Sequence, residues 1–262
     1  MPSKSPEKDY DRIITTLFFS KFKESSSELN FTKDELVAIA KKLKITLRNP
    51  PDVVYTYRSR ANLPHSILVK GNWIIKPKGK GRFSFFKSNR KPFVDVQEGL
   101  LAIEISNALP EIVEKYASED EQALLSSIRY NRLVDIFTGI TCFHLQSHIR
   151  TTIEGEGQIE VDDLYVGIDT DGTEYILPLE AKSPDDRDKL GWIQVSNMVK
   201  FARQNFPKLK CRPIAAKPAG ANRVYLIEFD SNPNSEEVSI VQVKLYKLKR
   251  EKKKMTGHPK QL

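Results

Sequence analysis

The sequence predicts an α/β (α+β) protein with a mixed central sheet, preceded by a smaller module of helices and one hairpin. Three observations predict this. Across residues 118–248 the apolar spacing runs helix, strand, strand, strand, helix, strand. Within that run, Asp169-Thr170-Asp171-Gly172 separates two β-rich arms, and Asp-Gly in such a setting is a strong hairpin signal. Ahead of it, two helical patterns are followed by a second hairpin with a tip of lysines and glycines.

From the N-terminus, residues 1–12 are polar and read as a frayed end, and 13–22, with Phe18, Phe19 and Phe22, reads as a helix broken at Ser25-Ser26-Ser27. Thr32 with Glu35 three residues on is a capping box, and Leu36, Ile39, Ala40 and Leu43 line one face of the helix it opens. Asn49-Pro50-Pro51 ends that unit. Residues 72–75 and 83–86 form the arms of the second hairpin, whose tip carries Lys76, Lys78, Lys80 and Arg82 with Gly79 and Gly81. Helices followed by a basic hairpin resemble a winged-helix DNA-binding module, here residues 1–90. The resemblance implies Arg58, Arg60, Lys76, Lys78, Lys80 and Arg82 as contacts to DNA phosphates, which give affinity without reading sequence. The alternative is a solvated loop whose lysines keep a sheet edge soluble.

A boundary falls at 88–92, and residues 91–262 form the second domain. Residues 96–107 read as a helix closed by Leu109-Pro110. Ser118-Glu119-Asp120-Glu121 caps one long helix bearing Leu124, Leu125, Ile128, Leu133, Val134, Ile136 and Phe137, stopped by Gly139. A strand over 142–153 leads into the arms 157–168 and 174–182. With Thr170, Asp171 and Gly172 as a three-residue loop, Asp162 faces Glu180 and Glu160 faces Lys182. Strand alternation then projects all four from one face. The return arm from Tyr175 to Leu179 is apolar at both parities, so it is buried on both faces. A helix over 190–206 and strands over 213–217, 223–229 and 238–248 complete the chain.

Three carboxylates on one patch repel each other, and a hard cation among them removes the conflict. Asp and Glu oxygens suit Mg²⁺, and a lysine beside them can position and polarise an attacking water. Asp162 followed by Glu180-Ala181-Lys182 on the next strand resembles the PD-(D/E)xK nuclease superfamily, in particular its restriction-endonuclease-like members. The resemblance implies a restriction-endonuclease-like αβββαβ core, Asp162, Glu180 and Ala181 in the Mg²⁺ set, Lys182 as the water-orienting residue, and Glu160 in the catalytic group. Val161 stands where the family pattern has Pro. Asp163 competes with Asp162 for the metal, but Asp162 shares parity with Glu180. Gln194 resembles a helical Gln of exonuclease-like relatives, although Met198 replaces the Tyr they carry. Glu121 and Asp135 are further carboxylate candidates on the preceding helix, against a reading as a solvated face with local ion pairs.

The resemblance further implies a DNA endonuclease, most like a type II restriction enzyme, cutting double-stranded DNA as a homodimer and accompanied by a cognate methyltransferase in a restriction system. Two other readings stand beside it: a structure-selective repair or defence nuclease, and a non-catalytic DNA-binding regulator on the same fold. Charge agrees with an anionic partner. The 262 residues carry a formal net charge of +8, with 39% hydrophobic and 29% charged residues. Cys142 and Cys211 are the only cysteines and read as reduced thiols. The N-terminus lacks a signal-peptide core and no apolar run is long enough to span a membrane, so a cytoplasmic location is expected. His144 and His148, four apart in a strand, would share a face as polar residues. The basic stretch 244–254 reads as a nucleic-acid arm or a solvated end.

Overall fold

A computed structural model describes residues 6–96, 99–117, 120–231 and 238–250. The first module comprises α1 (Pro6–Lys21), β1 (Glu28–Thr32), α2 (Lys33–Lys42), α3 (Pro50–Tyr55), a π-helical turn (Thr56–Arg60), α4 (His65–Leu68), β2 (Trp73–Pro77) and β3 (Arg82–Lys87). Its strands form an antiparallel sheet in the order β1-β3-β2. Phe18 lies edge-on to both Trp73 and Phe85, with centroids 5.1 and 5.2 Å away, at the centre of a core drawn wholly from this module. The capping box forms as read: Thr32 Oγ1 accepts from the Glu35 N–H and Glu35 Oε2 accepts from the Thr32 N–H.

Helix α1 starts earlier than the polar composition predicts, because its first turns are tied down. Tyr10 donates to Asp52 at 2.9 Å and Tyr57 donates to Asp11 at 2.6 Å. Helix α2 is already capped at Leu43, and Pro50 instead opens α3, where its missing N–H and fixed φ suit the first position.

The second part contains β4 (Ala102–Ser106), α5 (Glu111–Tyr116), α6 (Glu121–Tyr130), α7 (Leu133–Thr138), β5 (Thr141–Ile153), β6 (Gly157–Ile168), β7 (Glu174–Ala181), α8 (Trp192–Asn205), β8 (Lys210–Cys211), β9 (Ile214–Pro218), β10 (Arg223–Phe229) and β11 (Ile240–Lys249). One mixed sheet runs β4-β11-β10-β9-β7-β6-β5, with β8 beside β7. The β5-β6-β7 meander is antiparallel, whereas β7 and β9 run parallel. Helices α6 and α7 pack Leu125, Ile128 and Phe137 against Leu177, Leu179 and Ala181 on one face. Helix α8 covers the other, with Val195 and Val199 near Ala215 and Ile227, and Phe201 near Ile176. Strand β7 is therefore buried on both sides, which explains its apolar residues at both parities. Among the described residues, no helix is long and apolar enough to cross a membrane.

Four local expectations need correction. Within 96–107 the chain forms β4, not a helix, because β11 offers a parallel edge to it, pairing Tyr246 with Ile103 and Leu248 with Ile105. The single long helix is two: Asn131 and Arg132 break it, with Arg132 at φ 49°. Asn131 is held there by accepting from the Ala108 N–H at 2.7 Å and donating to Asn107. Ser118 and Glu119 lie outside the described residues, but Asp120 does cap α6, and Gly139 ends α7 at φ 73°. His144 and His148 do not share a face. A bulge between His144 and Gln146 inverts the alternation, sending His144 towards Asp163 and His148 towards Glu160. Lastly, much of the basic C-terminal stretch is β11 itself, with Lys247 and Lys249 both paired to Glu104; residues 251–254 lie outside the described residues.

The two parts touch where the β2-β3 tip meets the β5-β6 turn. Gly157 sits at φ 96°, and a Cβ there would lie 3.2 Å from the Cα of Gly79. Gly157→Ala should therefore cost roughly 1–3 kcal/mol from backbone strain alone. Urea unfolding checks this, and an unchanged midpoint would mean that neither the strain nor the Gly79 contact matters.

Candidate active site

The β6-β7 hairpin closes through Thr170, Asp171 and Gly172, with Gly172 at φ 78°. Pairing runs from Ile168 with Glu174 to Asp163 with Leu179, the register that puts Asp162 and Glu180 on one face. There the strands part. β7 turns to β9, setting Glu180 beside Ala215 and Ala181 beside Ala216. The fork is bridged by one contact, the Ala181 N–H donating to Asp162 Oδ2 at 2.7 Å. A cleft of about 530 Å³ opens at this fork, and Asp162, Glu180, Lys182, Glu160, Gln194 and Glu121 all line it.

Glu180 and Lys182 are almost fully buried and form an ion pair, Nζ to Oε1 at 2.8 Å. Lys182 Nζ also stands 3.4 Å from Asp188 Oδ1. Gln194, in the first turn of α8, donates to the same Glu180 oxygen and accepts from the Gly191 N–H at 3.0 Å. Gln194 thus fixes the rotamer of Glu180 while its own carbonyl is held by the helix start.

The electrostatics show carboxylates short of positive charge. Burial pushes Glu180 up to about 7; Lys182 opposes this, and Asp162 and Glu121 add to it. Burial likewise pushes Glu121 up to about 7, helped by Asp162 and Asp188. Asp162 is raised by burial too, against the Ala181 N–H and Lys182. For Lys182, burial works to lower the pKa, but Glu180 and Asp188 together outweigh it and hold the ammonium above its usual range. A divalent cation would relieve what one lysine cannot. Its donors here would be hard carboxylate oxygens, the set Mg²⁺ takes one or two at a time with waters. The donor chemistry of the cleft fits such an ion, and Asp162 and Glu180 are the residues that would hold it. Ala181 contributes its backbone at the fork.

The other predicted residues divide. Glu160 is at the rim, 3.3 Å from Arg150 and 3.7 Å from His148. Asp163 points to the opposite face, is completely buried and accepts from both Nε and Nη2 of Arg129, from Ser147 and from Tyr165. Asp135 is absent from the cleft and accepts from Arg132 and the Cys142 N–H. Of the basic set, Arg58 lines the cleft itself. Arg60 stacks over Tyr55 at 4.8 Å in the adjoining cleft, 3.9 Å from Asp52. Lys76 lies 3.5 Å over the Phe86 ring, whereas Lys78, Lys80 and Arg82 are exposed, with Lys78 paired to Glu28 at 2.9 Å. None of these four lines the cleft.

Asp188 and Asn197 also line it, and the sequence did not single them out. Asp188 sits in a charged loop that carries no periodic signal, and its Oδ2 accepts from the Ser183 N–H at 2.7 Å. Asn197 follows Gln194 by three residues on α8, a spacing that shares a helix face. No protein-family model matches the chain, nor does any curated protein or solved structure.

Proposed function

We propose that the protein is a Mg²⁺-dependent DNA endonuclease of the PD-(D/E)xK kind, on a restriction-endonuclease-like αβββαβ core with a winged-helix-like N-terminal module. One observation carries this reading: Asp162, Glu180 and Lys182 converge at a strand fork, with Glu180 and Lys182 buried and in contact. Two charged groups buried at the end of an apolar strand are costly to desolvate and call for a role beyond stability. Bound Mg²⁺ would polarise the phosphodiester and acidify a bound water. Asp162 and Glu180 hold the ion, and the Ala181 N–H fixes the Asp162 carboxylate. Lys182, charged and anchored by Glu180 and Asp188, orients the attacking water and offsets charge growing on the phosphate. Gln194 keeps Glu180 in place. Action as a homodimer on double-stranded DNA in the cytoplasm, with a partner methyltransferase, extends the same reading.

Incubating the protein with plasmid DNA and Mg²⁺ is the test. Discrete fragments support a sequence-specific enzyme, and nicking confined to branched or damaged substrates supports a repair or defence nuclease. DNA binding without any Mg²⁺-dependent cutting would leave the regulator reading.

For DNA affinity, the exposed tip residues are the ones to change. Replacing Lys78, Lys80 and Arg82 with Ala should weaken binding and reduce the slope of log K against log salt by about 0.9 for each phosphate no longer neutralised. Equal affinity and equal salt slope in parent and variant would remove this tip from the DNA interface.

A further inference from the structure

We propose that Arg58, carried by the N-terminal module, is a catalytic residue that grips the phosphate to be cut, so that the two modules build one active site. This rests on the nuclease reading and adds to it a residue from outside the core.

The backbone around Arg58 is built to deliver it. It lies in the π-helical turn Thr56–Arg60, closed by the Ala61 N–H donating to the Thr56 carbonyl at 2.8 Å. Such turns cost helix regularity and are frequent at functional sites. Tyr57, next to it, is buried inward and bonded to Asp11, while Arg58 lines the cleft. The Arg58 carbonyl abuts the start of α8: a Cβ on Gly191 would lie 3.1 Å from it. Gly191 is also the residue whose N–H holds Gln194, and Gln194 holds Glu180. The arginine and the catalytic carboxylate are therefore registered against the same short turn.

The side chain lacks the counter-ion its position demands. Arg58 Nε is buried with no hydrogen-bond partner, and no salt bridge reaches the guanidinium among the described residues. Burial lowers its pKa, with Glu156 the first group opposing this. Yet Glu156 is paired with Lys200. Arg58 is half-buried at the cleft wall, with its Nε closed off from water and no carboxylate beside it among the described residues, so the arrangement makes sense when an anion completes it. A guanidinium offers a planar fork of donors that matches phosphate oxygens two at a time. Asp162 and Glu180 repel a phosphate, and Arg58 supplies a positive group to draw it in beside Lys182.

The experiment compares parent, Arg58→Ala, Arg58→Lys and Lys182→Ala in three measurements: single-turnover cleavage with Mg²⁺, DNA-free melting, and the melting shift given by inorganic phosphate. Arg58→Ala should cut about 100-fold more slowly or worse, the scale for losing one donor to developing charge. Arg58→Lys should recover only part of the rate, since a point charge lacks the fork. Without DNA, Arg58→Ala should melt no lower than the parent, because the group removed is a half-buried guanidinium with no ion-pair or hydrogen-bond partner among the described residues. The phosphate-induced shift of the parent should vanish in Arg58→Ala. Normal cutting by Arg58→Ala beside a dead Lys182→Ala overturns the role of Arg58 and leaves the nuclease reading standing. A clearly lower melting temperature for Arg58→Ala makes the residue structural and overturns it as well. Absence of Mg²⁺-dependent cutting in the parent sinks the nuclease reading and this inference together.

Discussion

Lys182→Ala should abolish most Mg²⁺-dependent cleavage while leaving DNA affinity near that of the parent. The ammonium acts on the attacking water and on charge that develops only in the transition state, a contribution on the order of 3 kcal/mol or more, or about 100-fold in rate. Ground-state affinity rests instead on basic groups along the surface, which the substitution does not touch. The fold should survive the change. Removing one member of a buried ion pair usually costs about 3–5 kcal/mol, because the other is left charged and unpaired. Here Glu180 keeps Gln194 as a donor, and burial raises its pKa against the opposing pull of Lys182, so without Lys182 the carboxyl shifts further towards its neutral form and is not left as a bare buried charge. Single-turnover cleavage and equilibrium binding on the same preparation check the prediction. Cleavage at the parental rate would remove Lys182 from the chemistry, and a parallel loss of binding would make it a DNA contact.

The parts of this site that were legible in the sequence depend on short-range rules. Asp-Gly and a three-residue loop set the β6-β7 register, and with period-two alternation that register put Asp162 and Glu180 on one face and Asp163 on the other. The two-sided apolar pattern of Tyr175 to Leu179 located a central strand, whereas Gln194 was singled out by its resemblance to a helical Gln of exonuclease-like relatives. What was not legible depends on partners far away in the chain. Strand β4 has too weak a pattern of its own and exists because β11 offers an edge. The break at Asn131 is set by Asn107 and Ala108, on a segment that precedes α6 by more than a turn of chain. One bulged residue in β5 inverted the faces of His144 and His148, and alternation cannot signal where a bulge falls. Asp188 belongs to an aperiodic loop. Arg58 was picked out by charge alone, and its entry into the cleft depends on how one module docks on the other.

Asp163→Ala should destabilise the protein by roughly 3 kcal/mol, the lower end of the cost of opening a buried ion pair, because Arg129 keeps part of its side chain in solvent. Asp163 is enclosed and gathers Arg129, Ser147, His144 and Tyr165 around one carboxylate, tying α6 to β5 and β6. Its loss leaves the Arg129 guanidinium without its counter-charge, with the neutral Ser147 Oγ still accepting from Nη2 at 2.9 Å, and takes the acceptor from the Tyr165 hydroxyl. Asp162 behaves in the opposite way. It is partly exposed to the cleft and makes one protein hydrogen bond, from the Ala181 N–H, which the carbonyl of an asparagine could also accept. Asp162→Asn should therefore melt close to the parent and fail to cut. Asp163→Ala should melt several degrees lower and, below its transition, cut at a substantial fraction of the parental rate per folded molecule. These neighbouring acids thus separate stability from chemistry. Thermal melting with cleavage measured well below each transition decides it. A stable but inactive Asp163→Ala beside an active Asp162→Asn would mean that the metal is held from the other face of β6, and the assignment of the cleft would fall.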